Sequence, residues 1–136
     1  MSVEAEILKE SKVVAVVGLS PEKERPSYSV ASYLKENGYK IIPVNPNYHE
    51  ILGEKSFPDL GSVTKLVDVV DIFRRSEAVP EIVDQAIKIG AKAVWMQEGV
   101  VSEPAAAKAR QAGLKVVMNK CMRKEHEKIK QKEMKK

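Results

Sequence analysis

Cysteine occurs once in this 136-residue chain, at Cys121, so the chain can form no internal disulfide and cannot assemble a cysteine zinc site by itself. There are two histidines, and His49 has no second imidazole near it in sequence, so no metal site is expected. Phe, Trp and Tyr together make up 5% of the chain, and none of them lies between residues 115 and 136, the most basic stretch. A surface on which nucleic-acid bases could stack is therefore missing where it would be needed. Apolar runs are short: Val13 to Val17 is typical, against the roughly 20 residues of a membrane helix. The opening residues MSVEAEILKESK are acidic and helical in character, without the basic and apolar segments of a secretory signal. The expectation is a cytoplasmic protein with no membrane partner.

What remains is the composition of a globular protein, 43% hydrophobic and 31% charged, with seven glycines and seven prolines scattered along it. The length suits one core, and residues 1–136 are expected to form a single domain. The net charge of +4 is uneven: residues 115–136 carry +6 and residues 1–114 carry −2. Glutamates interrupt the lysines of the tail, so 119–136 reads as a basic C-terminal helix with a solvated face, and nucleic acid is not an expected partner. Eighteen Lys and fifteen Glu point to a thermophilic source.

Five runs rich in Val and Ile read as buried strands: Val13 to Val17, Lys40 to Val44, Val69 to Phe73, Ala93 to Met96 and Lys115 to Met118. The intervals between them leave room for one crossover helix each. Helices are expected over Ser27 to Asn37, Val79 to Ile89 and Glu103 to Ala112, with Gly38, Gly90 and Gly113 closing them. Ile82, Val83, Ala86 and Ile87 share one face of the second helix, as a crossover packed on a sheet requires. The fold expected from this alternation is α/β, a doubly wound five-stranded parallel sheet. Residues 45–66 hold Pro46, Gly53, Pro58 and Gly61 and read as loop with at most one short helix.

In such sheets ligands bind beyond the carboxyl ends of the strands. The first of these loops lacks the glycine spacing of a dinucleotide site, since Ser20 and Lys23 stand where the second and third glycines belong. Asn45 stands where an acid would hold the ribose of NAD. No glycine-lysine-serine or glycine-lysine-threonine sequence exists for an ATPase phosphate loop. The loop does offer Gly18, the Ser20 hydroxyl, the cations Lys23 and Arg25, and Ser27 at an expected helix N-cap, a set suited to phosphate. Two readings stay open at this point: an anion cradle, or a plain turn capped by Ser27. Arg74-Arg75 favour an anionic ligand, unless one of them pairs with Glu98 or Glu77.

The run Val14-Ala15-Val16-Val17-Gly18-Leu19-Ser20, then Arg25-Pro26-Ser27-Tyr28, Val44-Asn45-Pro46, Gly53-Glu54, Val70-Asp71-Ile72-Phe73-Arg74, Trp95-Met96-Gln97-Glu98-Gly99-Val100 and Cys121-Met122-Arg123-Lys124-Glu125-His126 resembles the small stand-alone CoA-binding domain proteins. More distantly, the chain is similar to the CoA-binding domain of the succinyl-CoA synthetase alpha subunit. The resemblance implies a Rossmann-like fold with coenzyme A lying across the strand ends. It implies contacts from Gly18, Leu19, Ser20, Arg25, Ser27, Asn45 and Pro46, with Phe73, Arg74, Arg75, Met96, Gln97, Glu98 and Gly99 completing the walls. The chain departs from the family at Asn119 and Lys120, where an acid and an arginine are usual. The expected function is binding of CoA or acyl-CoA, with no catalytic residue identified. The alternative is a nucleotide-cofactor or thiol-redox protein in which Cys121 forms a mixed disulfide with CoA. His126 is five residues from Cys121, about 140° around a helix, so the two do not form a catalytic pair.

Overall fold

Each valine-rich run becomes a strand because sheet pairing satisfies its backbone, on both edges for the three inner strands, while helices cover both faces. The computed structural model describes residues 1–134. In chain order it contains α1 (Val3–Glu10), β1 (Val13–Val17), α2 (Pro26–Glu36), β2 (Lys40–Val44), β3 (Glu50–Ile51), β4 (Glu54–Lys55), β5 (Val69–Ile72), α3 (Val79–Lys88), β6 (Ala93–Met96), α4 (Glu103–Gln111), β7 (Lys115–Val117) and α5 (Met122–Met134). The main sheet is parallel throughout, in the order β2-β1-β5-β6-β7. This is the expected five-stranded, Rossmann-like α/β domain. Residues 135 and 136, the end of the expected basic helix, lie outside the described residues, and that helix starts at Met122 rather than Asn119.

Alternation along the strands sorts the core into two halves. Val17, Val44, Val70, Ile72, Val94 and Met96 pack with Val79, Val83 and Ala86 of α3 and Ala105, Ala106 and Ala109 of α4. Val14, Val16, Ile41, Val69, Trp95 and Val117 pack on the other face with α1, α2 and the start of α5, through Ile7, Leu8, Val30, Leu34 and Met122. The result is three layers, helix on sheet on helix. Among the described residues no helix is long and apolar enough to cross a membrane.

Pro43 is tolerated in β2 because β2 is an edge strand. Its carbonyl still accepts from the Phe57 N–H at 3.0 Å, and the Asn45 N–H donates to the Phe57 carbonyl at 2.9 Å, so the following segment covers that edge. This segment is more ordered than the loop expected over 45–66. It holds the antiparallel β3–β4 hairpin and a single 3-10 turn at Leu60–Ser62. Leu52 and Gly53, both at positive φ, make the two-residue hairpin turn. Asp68 ties down the opposite end of the sheet. Its Oδ2 accepts from the Lys12 and Val13 N–H groups at 2.8 and 2.9 Å.

Candidate functional site

The chain runs from β1 to β2 on one side of the sheet and returns to β5 on the other. Beyond β1 and β5 the two connections diverge, which leaves a crevice at the carboxyl edge. It is a cleft of about 580 Å³, a size suited to a small ligand or cofactor.

Gly18 forms its floor. Its φ is +87°, its N–H donates to the Val44 carbonyl at 2.9 Å, and a Cβ placed there would collide with the Phe73 carbonyl oxygen. Glycine is needed for the exits of β1 and β5 to pass this closely. The aliphatic part of Arg74 lies against the same spot.

The loop after Gly18 is held by its own hydroxyls. The Ser20 N–H donates to Ser27 Oγ at 3.0 Å, the Glu22 N–H donates to Ser20 Oγ at 3.1 Å, and Arg25 Nε donates to Glu22 Oε2 at 3.0 Å. Ser27 is therefore not the expected N-cap. It is the second residue of α2, buried, and its oxygen serves the loop instead. Arg25 takes the cap position with no side-chain hydrogen bond, and Pro26 follows it. The amino end of α2 is thus left without a side-chain cap, and Arg25, Pro26 and Ser27 all line the cleft. From the β2 side, Asn45 Nδ2 donates to the Leu19 carbonyl and its Oδ1 accepts from the Asn47 N–H, both at 2.9 Å. This fixes the first loop against the segment that brings Tyr48 to the rim.

The far wall comes from β5, β6 and β7. Phe73, Gln97, Glu98, Val100 and Cys121 line it. Gln97 is buried and its Oε1 accepts from the Met122 N–H at 3.2 Å, capping α5. Glu98 is paired with Lys124 at 3.1 Å. Asn119, at φ +61°, accepts from the Gly99 N–H at 2.7 Å, and Trp95 Nε1 donates to the Lys120 carbonyl at 2.8 Å. The two positions that depart from the family pattern thus help tie the loops after β6 and β7 together, Asn119 through its side chain and Lys120 through its backbone.

Of the residues expected at the site, the fold brings Gly18, Ser20, Arg25, Ser27, Asn45, Phe73, Gln97 and Glu98 to one cleft, together with Cys121. Leu19 and Met96 are fully buried and point into opposite halves of the core. Strand alternation and the tight exit from β1 turn these two side chains inward. Pro46 and Gly99 are exposed beside the cleft without lining it. Arg74 and Arg75 are exposed and neither lines the cleft, although the Arg74 side chain passes beside Gly18. Among the described residues neither has an acidic partner within ion-pair distance, and Glu98 is engaged by Lys124. The cleft also contains Pro21, Glu22, Pro26, Val30, Tyr48 and Val100, which were not among the expected contacts. Val30 could have been found, because it stands three residues after Ser27 on the same helix face. Tyr48 could not, since only the path after β2 carries it there.

The CoA binding domain family matches residues 12–127. The protein YneT of Bacillus subtilis (strain 168) is 39% identical over 121 residues, covering 89% of this chain and 90% of its own length. The ADP-forming acetate–CoA ligase II of Archaeoglobus fulgidus is 36% identical over 95 residues, 68% of this chain but 14% of the ligase. Among solved structures, a hypothetical protein from Pyrococcus horikoshii OT3 superposes with a TM-score of 0.90 at 43% identity, covering 94% of this chain and 92% of that one. The match runs from β1 into α5 and takes in every strand that forms the cleft, so the chain belongs to the CoA binding domain family.

Proposed function

We propose that the strand-end cleft binds coenzyme A or acyl-CoA, in the cytoplasm, and that the chain acts as a carrier-binding protein without chemistry of its own. The observation that carries this reading is the amino end of α2, without a side-chain cap at the head of the cleft, with Arg25 at the cap position and Arg74 beside Gly18. A helix amino terminus favours anions, and guanidinium groups add bidentate contacts to phosphate. CoA brings roughly four negative charges in its 3′-phosphate and diphosphate. Five strands at about 4.8 Å spacing make the carboxyl edge roughly 19 Å long, so a ligand with phosphates near β1 and β5 can extend its sulfur arm toward β6 and β7. Glu22 must release Arg25 for the phosphates to use it fully.

Calorimetry and thermal shift with CoA, dephospho-CoA, NAD and ATP test the proposal. CoA should stabilise most, by about 2.7 kcal/mol at a hundredfold excess over Kd, and Arg74→Ala and Arg75→Ala should each weaken it. No heat with millimolar CoA would end the reading. The alternative thiol-redox reading is favoured by one observation: Cys121 lines the same cleft. Its thiolate would attack CoA disulfide, forming one Cys121–CoA disulfide and releasing one CoA thiol. Mass spectrometry after exposure to CoA disulfide decides it, since absence of a single CoA adduct removes that reading and leaves simple binding.

A further inference from the structure

Gln97 places a polar group in the cleft that the fold has oriented and not used. The residue is 5% exposed and lines the cleft. Oε1 accepts the Met122 N–H at 3.2 Å, so the amide oxygen serves α5 and the Nε2 donor does not. Among the described residues no acceptor engages Nε2, and it is not among the fully buried unpartnered atoms, so this donor is open to solvent in the cleft that Gln97 lines. The surrounding wall is mainly apolar, with Phe73, Val100 and Cys121 nearby and the Glu98 carboxylate held by Lys124. Gln97 lies beyond β6, two strands and about 10 Å from Gly18, so a ligand with phosphates at β1 and β5 presents its sulfur end here.

At that end an acylated carrier differs from the free thiol in carrying a carbonyl oxygen. We propose that Gln97 Nε2 donates to the thioester carbonyl of acyl-CoA, making Gln97 the residue by which the cleft prefers the acylated carrier. This assignment rests on the CoA-binding reading above.

The test is calorimetry of CoA, acetyl-CoA and S-ethyl-CoA, a thioether of similar bulk without the carbonyl, on the wild type and on Gln97→Glu. Glutamate keeps an oxygen to accept from the Met122 N–H and preserves the cap, but replaces the cleft-facing donor with an acceptor. The wild type should bind acetyl-CoA about 5- to 10-fold more tightly than S-ethyl-CoA, the range of one neutral hydrogen bond, and Gln97→Glu should bring that ratio to one or below. A wild-type ratio near one overturns the assignment, even if the variant does not fold. A ratio unchanged in Gln97→Glu overturns it too. Equal weakening of all three ligands also does, because it would place the amide on the pantetheine carbonyls that they share. If none of the three binds, the CoA reading falls first and this inference with it.

Discussion

Replacing Asp71 by asparagine should make the protein more stable at neutral and alkaline pH. Asp71 sits in the middle of β5, in register with Val16 and Trp95, with 0% exposure. Among the described residues neither carboxyl oxygen has a hydrogen-bond partner, and burial pushes its pKa well above the ordinary carboxylate range. The native protein therefore holds a proton that the unfolded chain gives up at about pH 3.9. Between those two values the native state binds more protons, so stability is full below the unfolded value and falls as pH rises, by about 1.4 kcal/mol per pH unit for this one group. Asparagine does not titrate and leaves a similarly unpartnered polar group, so the stability of Asp71→Asn minus that of the wild type should grow at this slope until the native pKa is reached. Urea unfolding followed by circular dichroism at pH 5, 6, 7 and 8 measures the difference, with His126 and every other titrating group common to both proteins. In thermal melts the same slope is roughly 5 °C per pH unit for a domain of this size. A difference that stays level with pH, or that shrinks as pH rises, would refute the account of Asp71 as a protonated buried acid.

Gly18→Ala combines a positive φ with a collision against the Phe73 carbonyl, and should cost at least about 2 kcal/mol in urea melts and abolish CoA binding. Ser27→Ala strands the half-buried Ser20 amide donor; a loss of about 1 kcal/mol and a weaker CoA titration are expected. Asp68 behaves oppositely to Asp71. Burial works against its ionisation, but the Lys12 and Val13 N–H groups and Lys92 together bring its pKa below the usual value. Asp68→Ala should therefore cost about 1–3 kcal/mol at pH 7, with the gap closing as pH falls through the native carboxylate's range, which an acid-side denaturation series would show. Cys121→Ala should leave CoA affinity within about threefold of wild type, the cost of a small contact rather than of a bond; a larger loss by calorimetry would favour the thiol reading.

The order of strands and helices was legible in the residues themselves. Three of the five main strands have the expected ends, and β5 and β7 stop one residue earlier, before Phe73 and Met118. Continuous Val and Ile runs separated by helix-length intervals admit few other arrangements, because each run must be covered on both faces. Local pattern also located the strand-end loops, and with them Gly18, Asn45 and Gln97. It could not reveal that Leu52 would take a left-handed turn beside Gly53, since leucine carries no such signal. Nor could it show that the Ser27 hydroxyl would turn from the helix end to the Ser20 amide seven positions earlier. The burial of Asp71 depends on which neighbours stand in register on β1 and β6, and the orientation of the Gln97 amide depends on an N–H donor 25 residues away. Sequence alone determined the elements and their alternation, because backbone pairing and apolar periodicity act over short spans. Which polar groups are left unpaired, and which way they face, was decided only when distant segments met.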